Sequence, residues 1–72
     1  MLKRDWRKAS EQMYYAKPKN RDMSSLWVSV ENVYYDSQPH VRYEAYCDDW
    51  LVGSYVTLQE AQLAAEEAEQ ET

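Results

Sequence analysis

One histidine, one cysteine and one glycine bound the chemistry that this chain of 72 residues can do. His40 follows Pro39 in an expected loop and has no second histidine with which to share a metal ion. Metal binding would rest on carboxylates alone, and the adjacent Asp48 and Asp49 diverge in a strand or turn. No Asp-x-Asp-x-Asp-Gly run offers a calcium loop. Nucleophilic catalysis lacks its parts as well. There is no Gly-x-Ser-x-Gly elbow and no Cys–His pair in a recognisable local setting. Cys47 sits in a strand-like run and reads as a small buried hydrophobe. Being the only cysteine, it implies no intramolecular disulfide. Gly53 alone cannot form a glycine-rich phosphate loop. Paired catalytic carboxylates would need a cleft, for which so short a chain has little room. A protein that is not an enzyme is expected, with no cofactor and no metal site.

What the chain does carry is charge, divided in two. Residues 1–22 hold seven of the eight basic residues against three acids, a balance of +4. Residues 23–72 hold one base, Arg42, against ten acids, a balance of −9, which gives the overall −5. Such a two-pole field selects partners more than it selects folds. The runs Lys3-Arg4-Asp5-Trp6-Arg7-Lys8 and Tyr14-Tyr15-Ala16-Lys17-Pro18-Lys19-Asn20-Arg21 interleave cations with aromatics. That mixture suits phosphate contacts and base stacking, so Lys3, Arg4, Arg7, Lys8, Lys17, Lys19 and Arg21 are candidate nucleic-acid contacts. The competing reading is a solvated helix face and linker whose cations pair with the acidic half. An isoelectric point near 4.7 disfavours direct binding to nucleic acid, because long-range repulsion opposes approach.

The acidic part allows the converse. Glu31, Asp36, Glu44, Asp48, Asp49 and the helix glutamates could present phosphate-like charge and compete with DNA or RNA for a basic groove on another protein. The plain alternative is a solubilising surface. Seven tyrosines and three tryptophans exceed what so small a core can hide, and aromatics beside carboxylates are typical of protein interfaces. The candidate partner-binding residues are Trp27, Tyr34, Tyr35, Asp36, Glu44, Asp48, Asp49 and Trp50.

The elements that must position these residues follow from periodicity within a single domain, 1–72. Leu2, Trp6, Ala9 and Met13 recur at spacings of four, three and four, which predicts an amphipathic helix within 2–15. Pro18 ends it, and residues 1–22 form a basic helix and linker. A three-stranded meander is expected over 25–56. Leu26, Val28 and Val30 alternate in the first strand, with a bulge or early exit at Asn32–Tyr35. Asp36-Ser37-Gln38-Pro39 is turn chemistry. Val41, Tyr43, Ala45 and Cys47 alternate in the second strand, Asp48-Asp49 turns the chain, and Trp50 to Val56 form the third. Thr57-Leu58-Gln59-Glu60 fits a capping box, which opens a helix over 58–70. Leu58, Ala61, Ala65 and Ala68 should face inward and Glu60, Glu66 and Glu67 outward, with Leu63 exposed among them. Glu69 to Thr72 are expected to fray. The fold expected is therefore α+β: an N-terminal helix, a three-stranded antiparallel sheet, and a C-terminal helix packed on one sheet face. No apolar segment follows the basic start, and no run approaches the ~18 apolar residues that span a bilayer. A soluble cytoplasmic protein without a membrane partner is expected.

Two stretches resemble known families. Gly53-Ser54-Tyr55-Val56-Thr57-Leu58-Gln59-Glu60-Ala61-Gln62-Leu63-Ala64 looks like the strand-to-helix junction of AP2-type and integrase-arm DNA-binding domains. That resemblance implies a three-stranded sheet backed by one helix, reading DNA with strand arginines and tryptophans. Trp27 and Trp50 fit such a role, but the expected strands carry only Arg42. Leu26-Trp27-Val28-Ser29-Val30-Glu31 and Thr57-Leu58-Gln59-Glu60-Ala61 are similar to the first strand and helix start of the short RNA-polymerase inhibitors of T-odd coliphages. More broadly, the chain resembles the small acidic α+β inhibitors encoded by phages and mobile elements, anti-CRISPR proteins among them. These likenesses imply a non-enzymatic inhibitor, present in the host cytoplasm as a monomer or homodimer. Its partner would be a host protein or nucleoprotein complex with a basic surface, such as RNA polymerase or a CRISPR effector. Two alternatives stand beside it: a small nucleic-acid-binding module that uses the basic segment, and a structural protein that dimerises through its sheet.

Overall fold

The computed structural model describes residues 2–18 and 20–70. Five strands and one helix follow one another: β1 (Trp6–Ser10), β2 (Met13–Ala16), β3 (Leu26–Tyr35), β4 (Gln38–Cys47), β5 (Trp50–Tyr55) and α1 (Leu58–Gln70). The strands form one antiparallel sheet in chain order, a meander with β3 at its centre. The expected N-terminal helix is absent, and the sheet has five strands where three were expected. Residues 6–16 instead form a hairpin whose second strand pairs with β3 from Met13↔Ser29 to Ala16↔Leu26. Two periods compete in this segment. The helical one needs Leu2, Ala9 and Met13 inside, yet all three are exposed. The period of two puts Trp6, Tyr14 and Ala16 inside, where they join the core, and satisfies the backbone edge of β3 that would otherwise stand open.

β3 runs to Tyr35 without the expected bulge, in continuous register with β4 from Leu26↔Cys47 to Tyr35↔Gln38. The turn shrinks to Asp36–Ser37, with φ of 51° and 63°. Positive φ at both central residues is what a type I′ hairpin turn requires. Gln38 and Pro39 therefore belong to β4. Counted from this turn, the Pro39 nitrogen points away from β3 to an edge without a neighbour, where a missing N–H costs nothing. The irregularity lies between β4 and β5 instead, where the register slips at Ala45/Tyr46. Pairing with β2 ends at Ser29, and pairing with β5 ends at Tyr43. The hairpin beyond them projects as a two-stranded arm, and the molecule measures 44 × 23 × 23 Å.

α1 packs across β3, β4 and β5 on one face. Its first turn is capped largely as expected. The Glu60 amide donates to the Thr57 hydroxyl oxygen at 3.2 Å, while that hydroxyl donates to the Glu60 carboxylate at 3.0 Å. Ala61, Ala65 and Ala68 meet Ala16, Leu26, Val28, Ala45 and Cys47 in the core, and among the described residues only Leu26 and Val28 are large and fully buried. Trp6, Tyr14, Tyr43, Val52, Tyr55 and Leu58 close around them. Gly53 faces Ala45 across the ladder, and a Cβ on it would stand 2.9 Å from the Tyr55 hydroxyl. The bare backbone there is what lets that ring lie across it.

One helix carboxylate, Glu66, corrects the expected outward face, and a second, Glu69, the expected fraying. Glu66 is buried and accepts three N–H groups: the backbone amides of Lys3 (2.7 Å) and Arg4 (3.1 Å), and the Trp6 indole (2.7 Å). Glu69 accepts from the Arg4 guanidinium at 2.7 Å and from the Ser24 amide at 3.1 Å, so the expected fraying does not begin there. Glu71 and Thr72 lie outside the described residues. Arg4 is itself buried and also donates to the carbonyls of Ala16 and Ser24. The N-terminal segment is thus fastened to α1 by charge-assisted hydrogen bonds. Leu63 is half-buried, beside Lys3 and Glu66.

Candidate docking surface

Among the described residues no helix covers the other face of the sheet. The registers place Arg7, Tyr15, Trp27, Tyr46 and Leu51 in one row across all five strands. Their order follows from the alternation of side chains along each strand. Because Ala16, Leu26, Ala45 and Cys47 point to α1, their neighbours point away. The Tyr15 and Trp27 rings lie 6.0 Å apart at 34°, and the Trp27 and Tyr46 rings 6.5 Å apart at 66°. Such pairs contribute about 0.5–1.5 kcal/mol each beyond area burial. The three rings are half-buried against one another, and Leu51 at the end of the row is exposed.

Charge is distributed unequally along this row. At the β1–β2 end, Asp5, Arg7, Tyr15, Lys17 and Pro18 line a shallow groove of about 370 Å³. Arg7 reaches Asp5 at 3.4 Å, but both are well exposed, so the pair contributes little. Toward the β4–β5 turn, Met13, Trp27, Ser29, Tyr46, Asp48 and Asp49 line a second groove of about 330 Å³. The turn is held by Ser25, the residue before β3, whose amide donates to the Asp48 carboxylate at 3.0 Å and whose carbonyl accepts from the Asp48 amide at 2.7 Å. Asp48 has a φ of 54°, a conformation that aspartate tolerates better than most residues. Glu44 stands on the same face, opposite Ser29 and 3.7 Å from Arg42.

The structure therefore divides the expected partner-binding residues. Trp27, Glu44, Asp48 and Asp49 share the helix-free face. Trp50 is exposed, but its pairing with Cys47 turns it toward the helix side of the turn. Tyr34, Tyr35 and Asp36 lie at the end of the arm, eight residues or roughly 27 Å of strand from Trp27 in the case of Tyr35. There Tyr35 packs edge-on against His40 at 5.4 Å, while Tyr34 points to the opposite face. Of the expected cationic contacts, Arg7 and Lys17 flank Tyr15, and Arg4 is consumed in the interior. Lys8 pairs with Tyr14 and so faces the helix side. Lys3 lies beside α1, Arg21 lies in the exposed connector, and Lys19 is outside the described residues. Tyr15 and Tyr46 were not among the expected site residues. The alternation of Tyr46 with Ala45 and Cys47 would have placed it beside Trp27.

Among the described residues no three His, Cys, Asp or Glu side chains lie together as metal ligands would, and Cys47 is a buried free thiol. No helix of the described residues is long and apolar enough to cross a membrane. No family model, curated protein or solved structure matches the chain.

Proposed function

We propose that the protein is a non-catalytic inhibitor that docks on a basic surface of a nucleic-acid-handling protein or nucleoprotein complex. The observation that supports this reading is the contact pair Trp27–Tyr46 beside Asp48, Asp49 and Glu44 on an uncovered sheet face. Aromatic side chains in such a setting anchor a complex, and surrounding carboxylates steer its formation. The carboxylates would stand where the partner receives phosphates. A phage or mobile-element origin, with RNA polymerase or a CRISPR effector as target, belongs to the same reading through the likeness of Leu26–Glu31 and Thr57–Ala61.

Capture from host lysate with mass spectrometry, followed by surface plasmon resonance on the partner so identified, tests it. Wild type should bind a complex that duplex DNA displaces. Asp48→Lys with Asp49→Lys should slow association, and Trp27→Ala should speed dissociation. Partner binding that ignores all three substitutions in folded protein would overturn the reading. Tyr15 between Arg7 and Lys17 favours a second one, in which the opposite end of the row stacks a single-stranded nucleic acid. Tight binding of a labelled oligonucleotide at physiological salt, measured by fluorescence anisotropy, would promote it, although the net charge of −5 works against it.

A further inference from the structure

We propose that the open edge of β3 in the arm receives an extended, basic segment of another protein, which adds to the sheet as a short strand in line with β2. This edge is separate from the bare sheet face, and the inference does not rest on the function proposed above.

The direction of the backbone groups along the edge follows from two observations. Tyr35 and Gln38 flank a two-residue turn and so bond to each other. Alternation gives the same role to Val33 and Glu31, and it turns the N–H and C=O groups of Asn32 and Tyr34 away from β4. The Val30 amide has the same phase, since it donates to the Gln12 carbonyl on the β2 side at 2.9 Å. Past that bond, no strand of the described residues pairs with this side of β3. Asn32 and Tyr34 are both exposed. They aim two N–H and two C=O groups outward, roughly 7 Å apart, which is the pattern that an added strand satisfies.

The two edges of the arm are not alike. On the β4 edge, Pro39 removes one of the outward amides, and Val56, leaving β5, lines a groove together with Val41. Proline on an edge is a common defence against strand addition. The β3 edge lacks one, because Glu31–Tyr35 contains neither proline nor lysine. Its length is set by Gln12, bound to Val30 at one end, and by the turn at Asp36 at the other. Glu31 to Tyr35 lie between them and span roughly 17 Å.

The side chains say what enters. An antiparallel strand continues the direction of β2 and pairs more stably than a parallel one. Val33 then sits at a non-hydrogen-bonded position, where side chains approach closest, so a β-branched apolar residue suits the place opposite. Carboxylates stand at both ends. Glu31 accepts from the Ser29 hydroxyl at 3.0 Å, while Arg42 reaches Glu44 at 3.7 Å. A lysine or arginine opposite Glu31 therefore meets an acceptor, and a second cation lies near Asp36. The arm of a second copy is a poorer occupant. In the register that sets Asn32 against Tyr34 of the other copy, the other turn falls opposite Val30, where Gln12 already stands.

Amide NMR of the labelled full chain, titrated with the peptide acetyl-Arg-Thr-Val-Thr-Lys-amide, tests the proposal. Millimolar peptide should shift the amides of Glu31–Tyr35 and slow hydrogen exchange at Asn32 and Tyr34. Tyr34→Pro removes an outward N–H that the β3–β4 ladder does not use, and it should weaken binding roughly tenfold or more while the fold is kept. Val41→Pro, the matching change on the guarded edge, should leave binding as it is. A peptide N-methylated at both threonines loses the donors that face Asn32 and Tyr34 and should not bind, a control that needs no variant protein. Glutamate in place of both basic residues should also abolish binding. The proposal is overturned by a wild type without shifts in the arm, by Tyr34→Pro binding as wild type, or by an N-methylated or acidic peptide binding equally well. Shifts at Asn32 and Tyr34 that grow with protein concentration in the absence of peptide would overturn it too, since a second copy would then hold the edge. The lysate capture and its Trp27, Asp48 and Asp49 variants report on the bare face, so either proposal can fail without the other.

Discussion

The two faces of the sheet differ in what lies at their centre. Among the described residues, the covered face presents alanines, a cysteine and only two large fully buried side chains, Leu26 and Val28, ringed by half-buried Trp6, Tyr14, Tyr43 and Tyr55. The bare face presents Tyr15, Trp27 and Tyr46 in contact, with cations at one end and carboxylates at the other. Small residues let α1 approach closely, but they bury little area, so the apolar contribution of that face is limited. Buried hydrogen bonds compensate. Glu66 and Glu69 draw Lys3, Arg4, Trp6 and Ser24 onto the helix. Three further large rings are left on the bare face, where folding gains less from them.

The contrast can be broken most severely at the carboxylate clamp. Glu66→Ala leaves three donors without their acceptor in a buried setting, which should cost about 3 kcal/mol. For a domain of this size that is a large share of the total. Urea melts should show it, and an unchanged midpoint would mean that the covered face holds by apolar packing alone. A smaller effect is expected where the covering helix begins. Thr57→Ala removes the hydroxyl that accepts from the Glu60 amide and should cost roughly 1 kcal/mol. A melt that does not move would show that packing, and not the cap, starts α1. The smallest change sharpens the contrast from the bare side. Ser37 holds a φ of 63° in the arm's turn, so Ser37→Gly should stabilise the protein by about 0.5–1 kcal/mol. Hydrogen exchange should localise the gain to the arm, and a gain spread over α1 would show that arm and covered face unfold as one unit.

The C-terminal two-thirds of the fold was legible because its signals are local. Alternation in Leu26–Val30 and Val41–Cys47, and the Thr57–Glu60 cap, each depend on neighbours a few residues away. The candidate site was legible only in part. Trp27, Glu44, Asp48 and Asp49 share a face because they lie at matching positions of strands that the pattern already marked. Tyr15 was hidden inside an expected helix. Tyr34 and Tyr35 were grouped with Trp27 by residue type, although β3 carries them to the far end of the arm.

The N-terminal segment shows where local signals stop. Sequence alone determined the charge division, the central hairpins and the capped helix, because each is encoded by composition or short-range spacing. Tertiary structure alone decided that residues 6–16 are strands, and with them the row of side chains that crosses the bare face. Helical spacing offered that segment four apolar residues on one side. The open edge of β3 offered its backbone hydrogen bonds, and the core offered its aromatics a place. Those gains come from residues ten or more positions away, and they outweigh a weak local preference.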